Sequence, residues 1–164
     1  MGCRLAFISA VIIFVLSCEG SNSDFEIIIN DYYNTYAERQ DFEKFLAFYD
    51  SSMVLEDMIY GNRVKGIENF RAFFDWPNPN FELRDSVALI VTNQVFNDLE
   101  VVTSGYFTPF SWGNIDVEAM HFTTILTLNE EGKIIKHIDW INYPEYLIDF
   151  DSRKNSNEWI NKSE

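Results

Sequence analysis

The residues best able to do chemistry lie near the end of the chain, in the run Glu131-Gly132-Lys133-Ile134-Ile135-Lys136-His137-Ile138-Asp139-Trp140-Ile141-Asn142-Tyr143-Pro144. Glu131-Gly132 signals a tight turn, and the β-branched, aromatic run behind it reads as a strand. Asp139 sits inside that run. An ionised carboxylate is costly to bury alone, so Asp139 requires a partner, a raised pKa or a wet cavity. Each option points to a pocket. A second acid, Asp57, lies in the run Met53–Ile59, and the chain carries two histidines, His121 and His137. Paired carboxylates push one pKa upward and a histidine titrates near neutrality, so a pocket holding these groups can move protons. No His-x-x-x-His or equivalent spacing calls for a metal, and no cofactor is expected.

The elements that must position these groups are legible from periodicity. Ser23-Asp24-Phe25-Glu26 is a capping-box pattern with Ser23 as N-cap. Phe25, Ile28, Ile29, Tyr32 and Tyr36 follow at helical spacing, predicting a first helix to about Arg39 with Tyr32, Tyr33 and Tyr36 close together. Asp41 is expected to cap a second short helix, and a third starts near Gly66 and stops at Trp76-Pro77. From Phe81 the period becomes twofold, predicting long strands Phe81–Val91, Leu99–Phe110 and Ile115–Leu128 before the Asp139 strand. Three helices followed by antiparallel strands make an α+β domain with the helices on one sheet face.

Alternation assigns faces. With Asp139 inward, Ile135, His137 and Ile141 join it, while Ile134, Lys136, Ile138 and Trp140 point outward. Leu55, Asp57 and Ile59 share a face. His121 is expected inward with Ala119, Thr123 and Ile125, leaving Met120, Phe122, Leu126 and Leu128 on an outer apolar patch. Such a patch marks an interface, so a homodimer through the sheet is expected.

The first residues read as an export leader. Arg4 is followed by the apolar run Leu5–Leu16, too short to span a bilayer but suited to a signal peptide. The run ends in Val15-Leu16-Ser17-Cys18, which resembles a bacterial lipobox, whose cysteine is lipidated. Residues 1–17 are thus expected as a signal peptide, 18–23 as a tether, 24–147 as the domain and 148–164 as a polar tail, frayed past Asp151. The expected location is the bacterial cell envelope, lipid-anchored through Cys18 on the periplasmic or outer-surface side. Cys3 leaves with the leader, so no disulfide forms in the mature domain. The formal net charge of −14 grows more negative without Arg4, which argues against nucleic acid as a partner.

The order of elements, with Val54-Leu55-Glu56-Asp57-Met58, Gly66-Ile67-Glu68-Asn69-Phe70-Arg71-Ala72-Phe73-Phe74 and the Asp139 run, resembles the SnoaL-like branch of the NTF2-like superfamily. The resemblance spans Asp24 to Leu147. It implies a cone in which three N-terminal helices pack on a strongly curved, mainly antiparallel sheet around a pocket. It implies catalytic roles for Asp139, the last-strand acid of cyclases and epoxide hydrolases of this fold, and for Asp57. Leu55 replaces the tyrosine that epoxide hydrolases carry beside the latter. Gly105 and Phe107 stand where those hydrolases carry an Arg-x-Asp pair, so epoxide opening is not expected. His121, His137, Tyr32, Tyr36, Leu55 and Phe107 are the candidate ligand-binding residues. Three functions fit: a binding domain for a small apolar or aromatic molecule, a cyclase-, isomerase- or dehydratase-like enzyme using Asp139 as general acid/base, and an assembly domain.

Overall fold

The stripe Ile29, Tyr32, Tyr33 and Tyr36 forms the inner face of α1 (Ser21–Glu38) in a computed structural model that describes residues 21–160. The helix already includes Ser21, so Ser23 lies within it rather than at its cap position. Arg39 ends it with a left-handed backbone (φ 49°), its N–H donating to Thr35 O at 3.1 Å. Asp41 caps α2 (Phe42–Ala47) as expected, accepting from the Lys44 N–H at 2.8 Å. The third helix, α3 (Ile67–Phe74), stops on the left-handed Asp75, one residue before Trp76-Pro77.

The main sheet holds β1 (Tyr49–Asp57), β2 (Asn62–Lys65), β4 (Leu89–Asn97), β5 (Glu100–Phe107), β8 (Met120–Leu128) and β9 (Ile134–Ile141), in the order β2-β1-β9-β8-β5-β4. β9 runs parallel to β1 and antiparallel to β8. Each long strand expected between Phe81 and Leu128 is broken in two. The pieces split off are β3 (Phe81–Leu83), β6 (Phe110–Trp112) and β7 (Ile115–Val117), which form a second sheet in the order β3-β6-β7. Pro109 sits in the middle break, where it has no N–H to extend a ladder. Gly105 marks a close approach of β4 and β8 to β5. A Cβ there would lie 2.2 Å from Ile90 O and 2.9 Å from the Phe122 ring. The three helices pack on the inner face of the main sheet, and Ile29, Tyr32, Phe45, Met53, Leu55, Phe70, Leu126 and Ile134 are buried between them.

Two face assignments are corrected. On β8, Met120, Phe122, Thr124, Leu126 and Leu128 are buried, and His121 is exposed on the outer face with Thr123, Ile125 and Thr127 beside it. Burying a large apolar side chain contributes about 1.5–3 kcal/mol, so the four of this set decide the orientation of the strand. On β9, Ile134 is fully buried while Ile135 is exposed. The ladder pairs Leu128 with Ile134 but Thr127 with Lys136. Ile135 is thus the extra residue of a β-bulge, and beyond it His137 and Asp139 point inward. The chain past Asp151 is also tied down: the Lys154 N–H donates to Tyr60 O at 3.0 Å and Ser156 Oγ to Met58 O at 2.9 Å. Tyr60 donates to Leu147 O, fastening the same strap to the β1–β2 turn.

Candidate functional site

The inner face of β9 carries a line of polar groups running from the core to a cleft. His137 Nε2 lies 3.0 Å from Asp139 Oδ1. His137 Nδ1 lies 2.9 Å from the Tyr49 hydroxyl, and Tyr49 lies 2.8 Å from the Tyr32 hydroxyl. If Asp139 only accepts, as a carboxylate does, a singly protonated His137 carries its proton on Nε2. Nδ1 then accepts from Tyr49, and Tyr49 accepts from Tyr32. Tyr32, Tyr49 and His137 are buried, and burial raises both phenol pKa values well above the ordinary value. Thr124 Oγ1 donates to the same Asp139 Oδ1 at 2.6 Å. Among the described residues no donor reaches Oδ2.

Asp57 is the in-register neighbour of Asp139 across the parallel β1–β9 pair, and it is held differently. Its Oδ1 accepts from the Ile59 and Tyr60 N–H groups, each at 3.0 Å, and its Oδ2 from the Tyr143 hydroxyl at 3.1 Å. Burial raises the pKa of Asp57. The two N–H groups and Tyr143 pull it back, and the charge of Asp139 pushes it further up.

The cleft has two lobes. A polar lobe of about 190 Å³ is lined by Leu55, Asp57, Asp139, Tyr143 and Phe73. An aromatic lobe of about 200 Å³ is lined by Phe81, Phe107, Phe110, Trp112 and Met120. Tyr36, Arg39, Phe74 and Ile141 line both, so the lobes adjoin. The aromatic lobe takes part of its wall from the small sheet, through Phe81, Phe110 and Trp112.

The SnoaL-like domain profile matches residues 29–137, which is more than half of the chain. The chain belongs to the SnoaL-like family. Solved structures of the same fold include a protein assigned as a SnoaL-like polyketide cyclase from Shewanella putrefaciens CN-32 (18% identity, TM-score 0.60, covering 73% of this chain and 90% of that one). An LEH-like epoxide hydrolase of M. tuberculosis matches at 14% identity and TM-score 0.58, over 73% of this chain and 83% of that one. An NTF-2 like protein of unknown function from Burkholderia xenovorans LB400 matches at 14% identity and TM-score 0.57, over 88% and 98%. These likenesses establish the NTF2-like α+β fold. No curated protein matches the chain significantly.

Within this SnoaL-like domain, Asp139, Asp57, Leu55, Tyr36 and Phe107 all line the cleft. Tyr32 and His137 stand behind the wall and hold Asp139 through the buried line of contacts. His121 is not in the cleft. It packs edge-on against Tyr106, 6.4 Å between centroids, on the opposite face. Sequence reasoning missed Arg39, Tyr49, Thr124 and Tyr143. Tyr49 and Thr124 stand on inward positions of strands beside Asp139, but placing His121 inward assigns Thr124 to the outer face. Among the described residues no group of three His, Cys, Asp or Glu side chains is placed to hold a metal.

Proposed function

We propose that this domain binds a small apolar or aromatic molecule in the two-lobed cleft, body in the aromatic lobe and a polar end on Asp139. The carrying observation is the asymmetry of that carboxylate. Two groups fix Oδ1, no donor among the described residues reaches Oδ2, and Asp139 lines the cleft. A concave, largely apolar site with a few convergent polar groups is the usual form of a small-molecule pocket. Titration of 2-naphthol into the wild-type protein and Asp139→Asn tests this. The variant keeps an acceptor at Oδ1 and presents an amide donor in place of Oδ2, so affinity is expected to fall about tenfold with melting unchanged. Equal affinity in both proteins counts against the pocket.

The same geometry supports a second function, proton transfer of the cyclase, isomerase or dehydratase kind with Asp139 as general acid/base. A carboxylate oriented by a buried imidazole is what a positioned base requires. Deuterium uptake next to the carbonyl of 2-acetylnaphthalene, followed by NMR, tests it. Acceleration by the wild type that Asp139→Asn abolishes is the expected result, and no acceleration removes this function for enolisable ketones.

Cys18 and the leader lie outside the described residues. Among those described, no helix is long and apolar enough to cross a membrane. We keep lipid anchoring in the bacterial envelope as a proposal resting on Val15-Leu16-Ser17-Cys18, with Cys18→Ala expected to leave the membrane fraction. Self-association through the outer sheet face is likewise proposed, with Ile138 kept from the sequence reading and Ile125 in place of the buried Met120, Phe122, Leu126 and Leu128. Ile138, Ile125, Val102 and Val95 stand in one row across β9, β8, β5 and β4. Ile138→Glu is expected to shift sedimentation toward monomer; a wild type already monomeric at micromolar concentration removes the interface.

A further inference from the structure

Among the described residues, Arg39 is a cation without an anion. Its guanidinium carbon lies 4.0 Å from the centroid of the Phe81 ring and 4.8 Å from that of Trp76, and it lines both lobes. Among the described residues its side chain has no ion pair and no hydrogen bond. Cation–π contacts engage the charge but leave the N–H donors available. Three residues earlier, in the last turn of α1, Tyr36 also lines both lobes, and its hydroxyl has no hydrogen-bond partner among the described residues. Two convergent donors thus stand where the polar lobe meets the aromatic one.

Resting on the proposed pocket, we infer that Arg39 and Tyr36 form an anion subsite, and that the ligand is an aromatic or apolar carboxylic acid. Its carboxylate sits against Arg39 and Tyr36 and its ring enters the aromatic lobe among Phe81, Phe107 and Trp112. Asp139 Oδ2 then meets any hydroxyl donor on the ligand. The planar fork of arginine matches a carboxylate with two parallel N–H···O bonds, and an aromatic floor pre-organises it. Burial lowers the pKa of Arg39 from its ordinary value, as expected for a cation held in a partly desolvated place without a carboxylate. The negative charge of the whole chain opposes an anion at long range. Salt screens that field beyond about 8–10 Å, whereas a contact pair inside a cleft is screened much less.

The test compares 2-naphthoate with its neutral counterpart 2-naphthamide, titrated into the full chain by calorimetry at physiological salt. Charge-assisted hydrogen bonds predict that the acid binds about tenfold or more tighter than the amide. Arg39→Gln is expected to erase that preference, and Arg39→Lys to retain part of it. Equal wild-type affinity for the two probes overturns the anion subsite and leaves the pocket standing. Preference for the acid that persists in Arg39→Gln overturns it too. Binding of neither probe removes the pocket and the subsite together. The wild-type comparison decides the matter even if Arg39→Gln does not fold, and Tyr36→Phe provides a second variant, expected to narrow the preference.

Discussion

Asp57 and Asp139 are register partners on adjacent parallel strands, on the same face of one sheet and the same wall of one cleft. Their surroundings nevertheless separate their roles. The end of β1 uses both oxygens of Asp57 to close the turn into β2 and to hold Tyr143. On β9, two groups fix one oxygen of Asp139, and no donor among the described residues reaches the other. A carboxylate whose acceptors are all occupied by its own chain is a structural joint, and one half-occupied is a contact for something else. Residue type and face do not distinguish them. The count of donors per oxygen does.

The largest expected effect follows from removing the joint. Asp57→Ala strands two N–H groups and the Tyr143 hydroxyl in a half-buried place, a loss of about 3 kcal/mol in urea unfolding. Asp139→Asn is expected to change stability by less than about 1 kcal/mol while weakening 2-naphthol binding. If instead Asp139→Asn unfolds the protein and Asp57→Ala does not, the roles are exchanged.

A smaller effect appears with pH. The pKa of Asp57 is raised on folding, so the folded state holds more protons than the unfolded one between the ordinary aspartate range and that raised value. The contribution of Asp57 is therefore fully present below the ordinary range and is lost as pH rises through the folded-state pKa. Other carboxylates have lowered values and slope the opposite way, among them Asp50 and Asp149. The readout is thus the stability difference between wild type and Asp57→Asn, measured across acid pH. It should move in favour of the variant as pH rises through that window, and a flat difference contradicts the shift. Tyr143→Phe is expected to cost about 1 kcal/mol. It also removes a group that lowers the Asp57 pKa, so the pH-dependent window should extend upward.

Much of this was legible in the residues. The three helices, the cap at Asp41 and the inward Asp139 follow from spacing and residue type. The face of β8 was misjudged because His121 was weighed as chemistry, although Met120, Phe122, Leu126 and Leu128 form the more apolar set and the more apolar set is buried. The exchange of Ile134 and Ile135 was not legible, because a bulge is a property of strand pairing and no twofold pattern announces it. Arg39 was hidden for a similar reason. Its neighbours Trp76 and Phe81 are distant in sequence, and nothing local marks a helix-end arginine as a cleft wall.

The small sheet β3-β6-β7 carries a consequence for ligand traffic. Its strands pair with one another and not with the main sheet, while Phe81, Phe110 and Trp112 on it close one side of the aromatic lobe. The free energy needed to open that side is therefore the local stability of a three-strand unit rather than that of the whole domain. Its amides should exchange with solvent deuterium faster than those of β8 and β9. A bound aromatic molecule should slow them first, making the exchange rate at Phe110 and Trp112 a direct gauge of occupancy.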